Sequence, residues 1–407
     1  MKTLTPIWTG DIDSKSDSII STGFAGSLRW WTEAILRGID NFVCDPTEDN
    51  TRCPKKDEDD KFAYYCPACL IFGATGIRRT FKLNITGGES LFNDKPINIR
   101  PSNRNRGWYL GSGVKGQLEL EITPLAKEFK ESIIYLPLII ASKWGGIGAR
   151  TQHGYGVVEV QNSILGDYKK YKQDLDNIIN NKRLDTLKIK MRKEKNNPLP
   201  DIREMFFAKV QFEVQDGDWW KEVDGIKERG NKGEKNYYSG YINDSRIQKW
   251  IDSGSVPIAP AIKNWLRFGK KVKLKNGRDF QVSPFNEIHN REISQWLFGS
   301  SDENNKMASK INLSCAYRIN NNLWEFRIWG WIPKNYLPDR FNRETFINNL
   351  KLCLNGNNNV KIPWQNLFGN KIKASEIKVC WREFNSNRDT VKQKENNIEN
   401  YLQSLIK

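Results

Sequence analysis

Four cysteines, Cys44, Cys53, Cys66 and Cys69, carry the most specific chemistry in this sequence. Eight, twelve and two residues separate them in turn, and the last pair reads Cys-Pro-Ala-Cys. A CxxC knuckle lets two thiolates reach one ion, and two further sulfurs complete the tetrahedral set that suits zinc. The role expected of such a site is structural, because four sulfurs leave no open position for a substrate. The first pair is spaced more widely than in a standard zinc ribbon, so four free thiols remain the other reading.

The second chemical stretch is KWGGIGARTQHGYGVVEV, from Lys143 to Val160. Gly145, Gly146, Gly148, Gly154 and Gly156 fall between an apolar helical run and a strand-like run, with Lys143, Arg150 and His153 among them. Glycine allows backbone amides to face phosphates closely, so these residues are candidates to hold a polyanion. A flexible turn is the plainer alternative. No Gly-Lys-Ser/Thr ends the loop, and it follows a helix rather than a strand, which argues against a Walker loop and a dinucleotide fingerprint. A long, sequence-tolerant nucleic acid is therefore favoured over a small nucleotide. Histidine is the usual base and acid of metal-independent RNA cleavage, and only His153 and His289 are present. His153, within the glycine loop, is the sharper catalytic candidate, but a simple contact to backbone or RNA is the favoured reading, because no acid–base partner can be named from sequence.

Composition agrees with an anionic partner. The 407 residues include 64 Lys+Arg against 48 Asp+Glu, a net charge of +16, and 15 tryptophans. That aromatic count leaves rings over for stacking on bases or filling interfaces. Seven cysteines, an odd number, argue for thiols or metal rather than a disulfide framework. No signal-length apolar core opens the chain and no window approaches a membrane span, so a cytoplasmic protein is expected.

The elements that must position these groups can be read in order. Residues 2–9 suit a first strand, and FAGSLRWWTEAILRGI a helix with Leu28, Trp31, Ile35 and Ile39 on one face. Arg29, Glu33 and Arg37 then repeat every four residues on one side. They form either a solvated salt-bridged face or, for the two arginines, a surface turned toward the glycine loop. Arg78 and Arg79 open a strand in which Phe81, Leu83 and Ile85 alternate with polar residues. Adjacent arginines are poor salt-bridge formers and good phosphate contacts. Asn93 to Gly113 reads as a long basic surface loop, and the acidic run Asp57 to Asp60 as a solvated tip. Leu118, Leu120 and Ile122 mark a further strand, Phe129 to Ile140 a helix, and Tyr155 to Val160 a fourth strand. Strand, helix, strand, strand, helix, strand is the ferredoxin-like order, a common RNA platform.

Domain organisation follows: a first domain over 1–163, a basic linker or arm over 164–204, a second domain over 205–385 and a polar tail over 386–407. Seven basic residues and two acidic ones lie between Lys182 and Lys195. The second unit opens on FFAKVQFEV, with Phe207, Lys209, Gln211 and Glu213 on one side of the strand. Its IAPAIKNWLRFGK echoes the first helix, and QWLFGSS parallels CLIFGATG, so the chain looks internally duplicated. The fold class expected is α+β, with tandem ferredoxin-like (RRM-like, βαββαβ) domains, insertions and a zinc-binding loop.

The motifs TPIWTG, GSLRWWTEAILRG, CPACLIFGATG and GGIGARTQHGYG, in that order, resemble the RAMP superfamily of CRISPR proteins. They most closely resemble the first-numbered subunit of the type III-B Cmr effector. The resemblance is dense over residues 1–160 and sparser beyond. It implies a non-catalytic RNA-binding subunit that holds guide RNA near its 3′ end beside other Cmr subunits, contributing to target RNA binding and antiviral defence. Carried onto this chain, Arg29, Arg37 and the loop Gly145 to Gly156 are expected RNA contacts. His153 stands where related loops usually have another basic residue. A guide-processing RNA endonuclease of the same superfamily, using His153, is the alternative. No HD pair or GGDD motif is present, which disfavours cyclic-nucleotide synthesis and metal-dependent DNA cutting.

Overall fold

Pro6 interrupts the first strand. Only Lys2–Thr3 (β1) pair regularly, and beyond Pro6, which has no amide hydrogen, the chain rejoins the sheet through a bridge between Ile7 and Val114. The computed structural model describes residues 1–13, 15–56, 63–93, 95–102, 104, 107–160, 167–180, 198–227, 240–273, 279–356, 360–392 and 394–407. The acidic run Asp57 to Asp60 and the basic stretch 182–195 lie outside the described residues.

After β1 come helices Ser21–Gly38 (α1) and Pro67–Phe72 (α2), then strands Phe81–Ser90 (β2) and Val114–Pro124 (β3). Helix Ser132–Trp144 (α3), strand Val158–Glu159 (β4) and helix Tyr168–Ile179 (α4) follow. The sheet runs β2-β3-β1-β4 with every pair antiparallel. That order is the ferredoxin-like arrangement, produced when α1 and α3 cross one face of the sheet. In β2, Phe81, Leu83 and Ile85 are buried while Lys82, Asn84 and Thr86 are exposed, the period of two that a one-sided sheet requires. α1 buries Phe24, Leu28, Trp31 and Ile35 at helical spacing.

The second half repeats the order. Strand Met205–Glu213 (β5) leads through helices Ala259–Phe268 (α5) and Arg291–Phe298 (α6) to strands Ala316–Arg318 (β6) and Leu323–Trp331 (β7). Helix Arg343–Leu354 (α7), strand Lys378–Glu383 (β8) and helix Ile398–Ile406 (α8) complete it. The sheet is antiparallel, β6-β7-β5-β8, with Ser255–Val256 added beyond β6 and Ile311–Leu313 also on β7. α2 and α6 end on Gly73 and Gly299 at φ +86° and +82°, so the two aromatic-Gly turns share one backbone conformation.

The second sheet is covered on both faces. Phe206, Ala208, Val210 and Phe212 join a core with Ile262, Leu266, Phe346 and Leu350 of α5 and α7. Met205 and Phe207, with Trp329 and Trp331 of β7, join the core of the first half instead. Phe207 stacks on Trp31 of α1 at 6.2 Å and meets Trp144 of α3 at 6.4 Å. Burying a ring of this size is worth about 1.5–3 kcal/mol, so each such contact binds the halves together. The side of β5 that carries Phe207 and Lys209 is therefore partly an interface. Phe207 is buried, and Lys209 is half-buried with its ammonium 4.6 Å from the Trp144 ring centre.

Two further expectations are corrected. The stretch Asn93 to Gly113 is not a plain surface loop: Ile97–Ile99 and Trp108–Leu110 pair as a hairpin whose Ile97, Ile99 and Leu110 are fully buried in the core of the second half. Polar contacts hold it there, from Ser102 N to the Asp224 carboxylate (3.0 Å) and from Tyr241 Oη to Asn98 O (2.8 Å). The tail 386–407 is not merely polar, because α8 buries Tyr401, Leu402, Leu405 and Ile406 against α3 and α4 of the first half. Among the described residues no helix is long and apolar enough to cross a membrane.

Candidate metal centre and nucleic-acid interface

Cys66 is the N-cap of α2, and Pro67 opens that helix, so Cys69 three residues on falls on the same side as Cys66. Cys44 and Cys53 arrive from the segment between α1 and α2. The four Sγ atoms all lie within 4.8 Å of one another, and all four residues are buried. Thiols this close cannot ionise independently. Hydrogen bonds from Cys53, Cys66 and Cys69 push Cys44 down, and the bond each gives Cys44 pushes the other three up. A cation that displaces the protons would relieve that competition, and an all-sulfur donor set fits a soft or borderline ion. Arg29 Nη2 donates to Cys69 Sγ at 3.2 Å, a charged outer contact of the kind that orients a ligand.

Arg29 also donates to Gly73 O (3.1 Å) and pairs with Glu33 (2.8 Å), while Arg37 donates to Pro200 O (2.9 Å) and lies 3.6 Å from Glu33. Both arginines therefore serve the cysteine side of α1, and their described hydrogen bonds do not reach the glycine loop. Helical geometry gives the reason. Positions 29, 33 and 37 share one face, whereas Trp31 lies about 200° around the axis and donates from Nε1 to Gly146 O at 3.0 Å. Of the arginines opening β2, Arg78 is exposed and Arg79 half-buried.

The glycines of the loop serve packing first. A Cβ on Gly145 would lie 2.3 Å from the Trp31 ring, on Gly154 2.4 Å from Cys315 Sγ, and on Gly156 2.2 Å from Ile147 O. A Cβ on Gly146 would have somewhat more room, 3.2 Å from both Gly156 O and Trp329. All four are buried, and the amides of Gly145, Ile147, Ala149, His153, Gly154 and Gly156 donate to backbone carbonyls of the chain itself. Their density thus reflects close backbone approach rather than a row of amides open to phosphate. Lys143 is likewise engaged, giving hydrogen bonds to Ile406 O and Lys407 O at 2.8 Å each. What reaches the surface is the segment from Gly148 to His153.

That segment meets the second half. Gly154 bridges Ser314, Cys315 N donates to Gly154 O (2.9 Å), and Thr151 Oγ1 bonds Asn312 Oδ1 (2.8 Å). The Arg150 guanidinium lies over the Trp8 ring at 3.9 Å, a cation–π contact that leaves its edges free to bond outward. His153 has an unpartnered Nδ1, and burial, then Lys263 and Arg150, lower its pKa to about 3. Lys263 of α5 bonds only Ser309 Oγ at 3.3 Å among the described contacts, and burial followed by Arg267 brings its pKa down to about 7. No carboxylate counts among the groups that shift either residue. Arg150, a neutral His153 and Lys263 therefore meet from both halves, and Asn264, next to Lys263 in sequence, has an unpartnered Oδ1.

Sequence reasoning missed Lys263 and also Arg327. The Arg327 side chain, on β7, is buried, and its Nη1 donates to Ser142 O (2.6 Å) and Gly145 O (3.2 Å). It thereby satisfies carbonyls at the C-terminus of α3 and places a cation at the negative end of the helix dipole. The only local signal was a charged residue inside an otherwise apolar strand, LWEFRIWGW.

A family model of the RAMP superfamily matches residues 1–159. No curated protein matches the chain. One matching solved structure is Cmr1 from Pyrococcus furiosus in its apo form, 13% identical, covering 83% of this chain and 88% of that one at a TM-score of 0.32. The family match falls on the first sheet, the cysteine cluster and the glycine loop.

Proposed function

We propose that the chain is a non-catalytic RNA-binding subunit of a type III-B CRISPR (Cmr) ribonucleoprotein, holding guide RNA near its 3′ end and contributing to target RNA binding. One observation carries the RNA half of this reading: Arg150, His153 and Lys263 converge from the two halves, beside Trp8, with no described carboxylate between them. In a chain of net charge +16, such a cluster at a seam suits a phosphate backbone. The effector half rests on the superfamily match and on the sequence motifs. Zinc is the ion we assign to Cys44, Cys53, Cys66 and Cys69, where it would tie the segment after α1 to α2.

The test is binding of labelled guide RNA to purified protein across a salt series. Each neutralised phosphate contributes a slope of about 0.7 on a single strand. Arg150→Ala should weaken affinity for unrelated sequences alike, with the RNA recovered intact; unchanged affinity would remove the loop from the site. A second reading, RNA cleavage, has one observation in its favour. His153 is held neutral and able to accept a proton, and Lys263 near 7 is able to supply one. Cutting that His153→Ala abolishes would establish it in place of the binding subunit.

A further inference from the structure

Away from the glycine loop, the second half carries a cleft of about 760 Å³ between α6, the end of α5, the strand pair Lys270–Lys273 and Asp279–Val282, and the docked hairpin of the first half. A volume of that size matches an ordinary small-ligand site. Three arginines line it, Arg104 from the hairpin, Arg267 from α5 and Arg291 from α6. The guanidinium carbons of Arg104 and Arg267 lie 4.0 and 5.2 Å from the centre of one ring, Phe268. Among the described residues, Arg104 Nε is buried without a hydrogen-bond partner, and the hydrogen bonds of Arg267 reach Ser294 Oγ at 3.3 Å and, weakly, Gly299 O at 3.5 Å. The one carboxylate described against the three is Asp302, 3.8 Å from the largely exposed Arg291.

Burial and the two other arginines together hold the pKa of Arg267 down to about 10, the mark of a cation facing cations. Such repulsion is offset when a compact multivalent anion enters, and guanidinium forks match phosphate oxygens best. The walls are not purely ionic, however. Phe280 is 54% exposed at the mouth and Trp108 lines the side, while the Gln281 amide, the Nδ2 of Asn290, whose Oδ1 caps α6, and the Oε1 of Gln295, whose Nε2 bonds Ser300, offer polar contacts. An aromatic face with amides beside a cationic pole is the complement of a nucleobase joined to a phosphate.

We propose that this cleft is a nucleotide-binding site, with the arginines on the phosphate and Phe280 stacked on the base, the ligand being a free nucleoside monophosphate or the phosphorylated end of an RNA. No residue named in the cleft belongs to the Arg150 cluster, although Arg267 lies one turn from Lys263 on α5 and lowers its pKa.

Calorimetric titration of the full-length protein with AMP and UMP tests the proposal, with inorganic phosphate and adenosine as partial ligands. Both nucleotides should bind more tightly than either part. Phe280→Ser and Arg291→Gln change exposed side chains and should leave thermal melting unaltered while weakening nucleotide binding about tenfold, the range of one base–aromatic stack or one lost phosphate contact. Arg267→Met should abolish binding, and its melting curve will show whether it folds. Displacement of bound AMP by a short RNA with a terminal phosphate, but not by the same RNA ending in hydroxyls, identifies an RNA end as the source. Failure of such displacement identifies the free nucleotide. No binding of AMP or UMP at millimolar concentration, or binding indifferent to both surface variants, overturns the site. Loss of RNA affinity in Arg150→Ala with nucleotide binding retained would separate it from the interface proposed above.

Discussion

Replacing Gly156 by alanine decides whether the glycines of the loop exist for packing. Gly156 has φ +91°, where an L side chain costs about 1–2 kcal/mol. Its new Cβ would lie 2.2 Å from Ile147 O and 3.1 Å from Ile147 C and N, all backbone atoms that no rotamer change can move away. The backbone must shift, and with it go the bonds from Ile147 N to Gly156 O and from Gly156 N to Pro6 O, both 2.8 Å and each worth about 1 kcal/mol. Together with overpacking of about 1–3 kcal/mol, the loss comes to about 4–7 kcal/mol. At roughly 2.1 cal/mol/K per residue the unfolding entropy of this chain is about 0.85 kcal/mol/K, so the melting temperature should fall by about 5–8 °C. Gly26 is the matching control: exposed on α1 with nothing within 4 Å of its would-be Cβ, it should gain up to about 1 kcal/mol as alanine. Differential scanning calorimetry on both variants gives the comparison. A Gly156→Ala protein that melts with the parent would show that the loop tolerates a side chain there, and the packing account would fail.

The other outcomes concern charge and metal. Arg327→Met leaves two carbonyls at the C-terminus of α3 without their buried donor and should cost about 3–5 kcal/mol in urea denaturation; a loss below 1 kcal/mol would show that the clamp contributes nothing. Cys66→Ser should release bound metal and expose the first half to limited proteolysis, since structural zinc contributes on the order of 10 kcal/mol or more, and purified parent protein without metal by elemental analysis would refute the centre. His153 takes its proton near pH 3 when folded and near 6.5 when unfolded, so below about pH 6.5 the unfolded chain binds the extra proton. Stability should therefore fall as pH drops through that window, by at most about 1.4 kcal/mol per unit, and His153→Gln should flatten the dependence; parallel pH profiles would show that the folded imidazole titrates normally.

Local periodicity made much of this legible. The alternation in FKLNIT and the helical spacing of Phe24, Leu28, Trp31 and Ile35 depend on neighbours a few residues away, which is why both βαββαβ orders could be read. The Cys-Pro-Ala-Cys knuckle is equally local, and so is the pairing of Arg29 and Arg37 with Glu33, because one turn of helix brings the groups together. The sequence by itself thus determined the element types, the duplicated order and the candidate ligand set.

Tertiary structure decided what those residues face. Glycine density reads the same whether amides point at phosphate or backbones press together; only the placement of Trp31, Cys315 and Ile147 against Gly145, Gly154 and Gly156 separates the two. Arg327 reaches a helix end about 180 residues earlier in the chain, and the hairpin at 97–110 buries its isoleucines in the other half, contacts that no local window contains. The physical reason is that hydrogen-bond periodicity is set within a few residues, whereas burial and charge pairing are set by whichever distant surface closes over them.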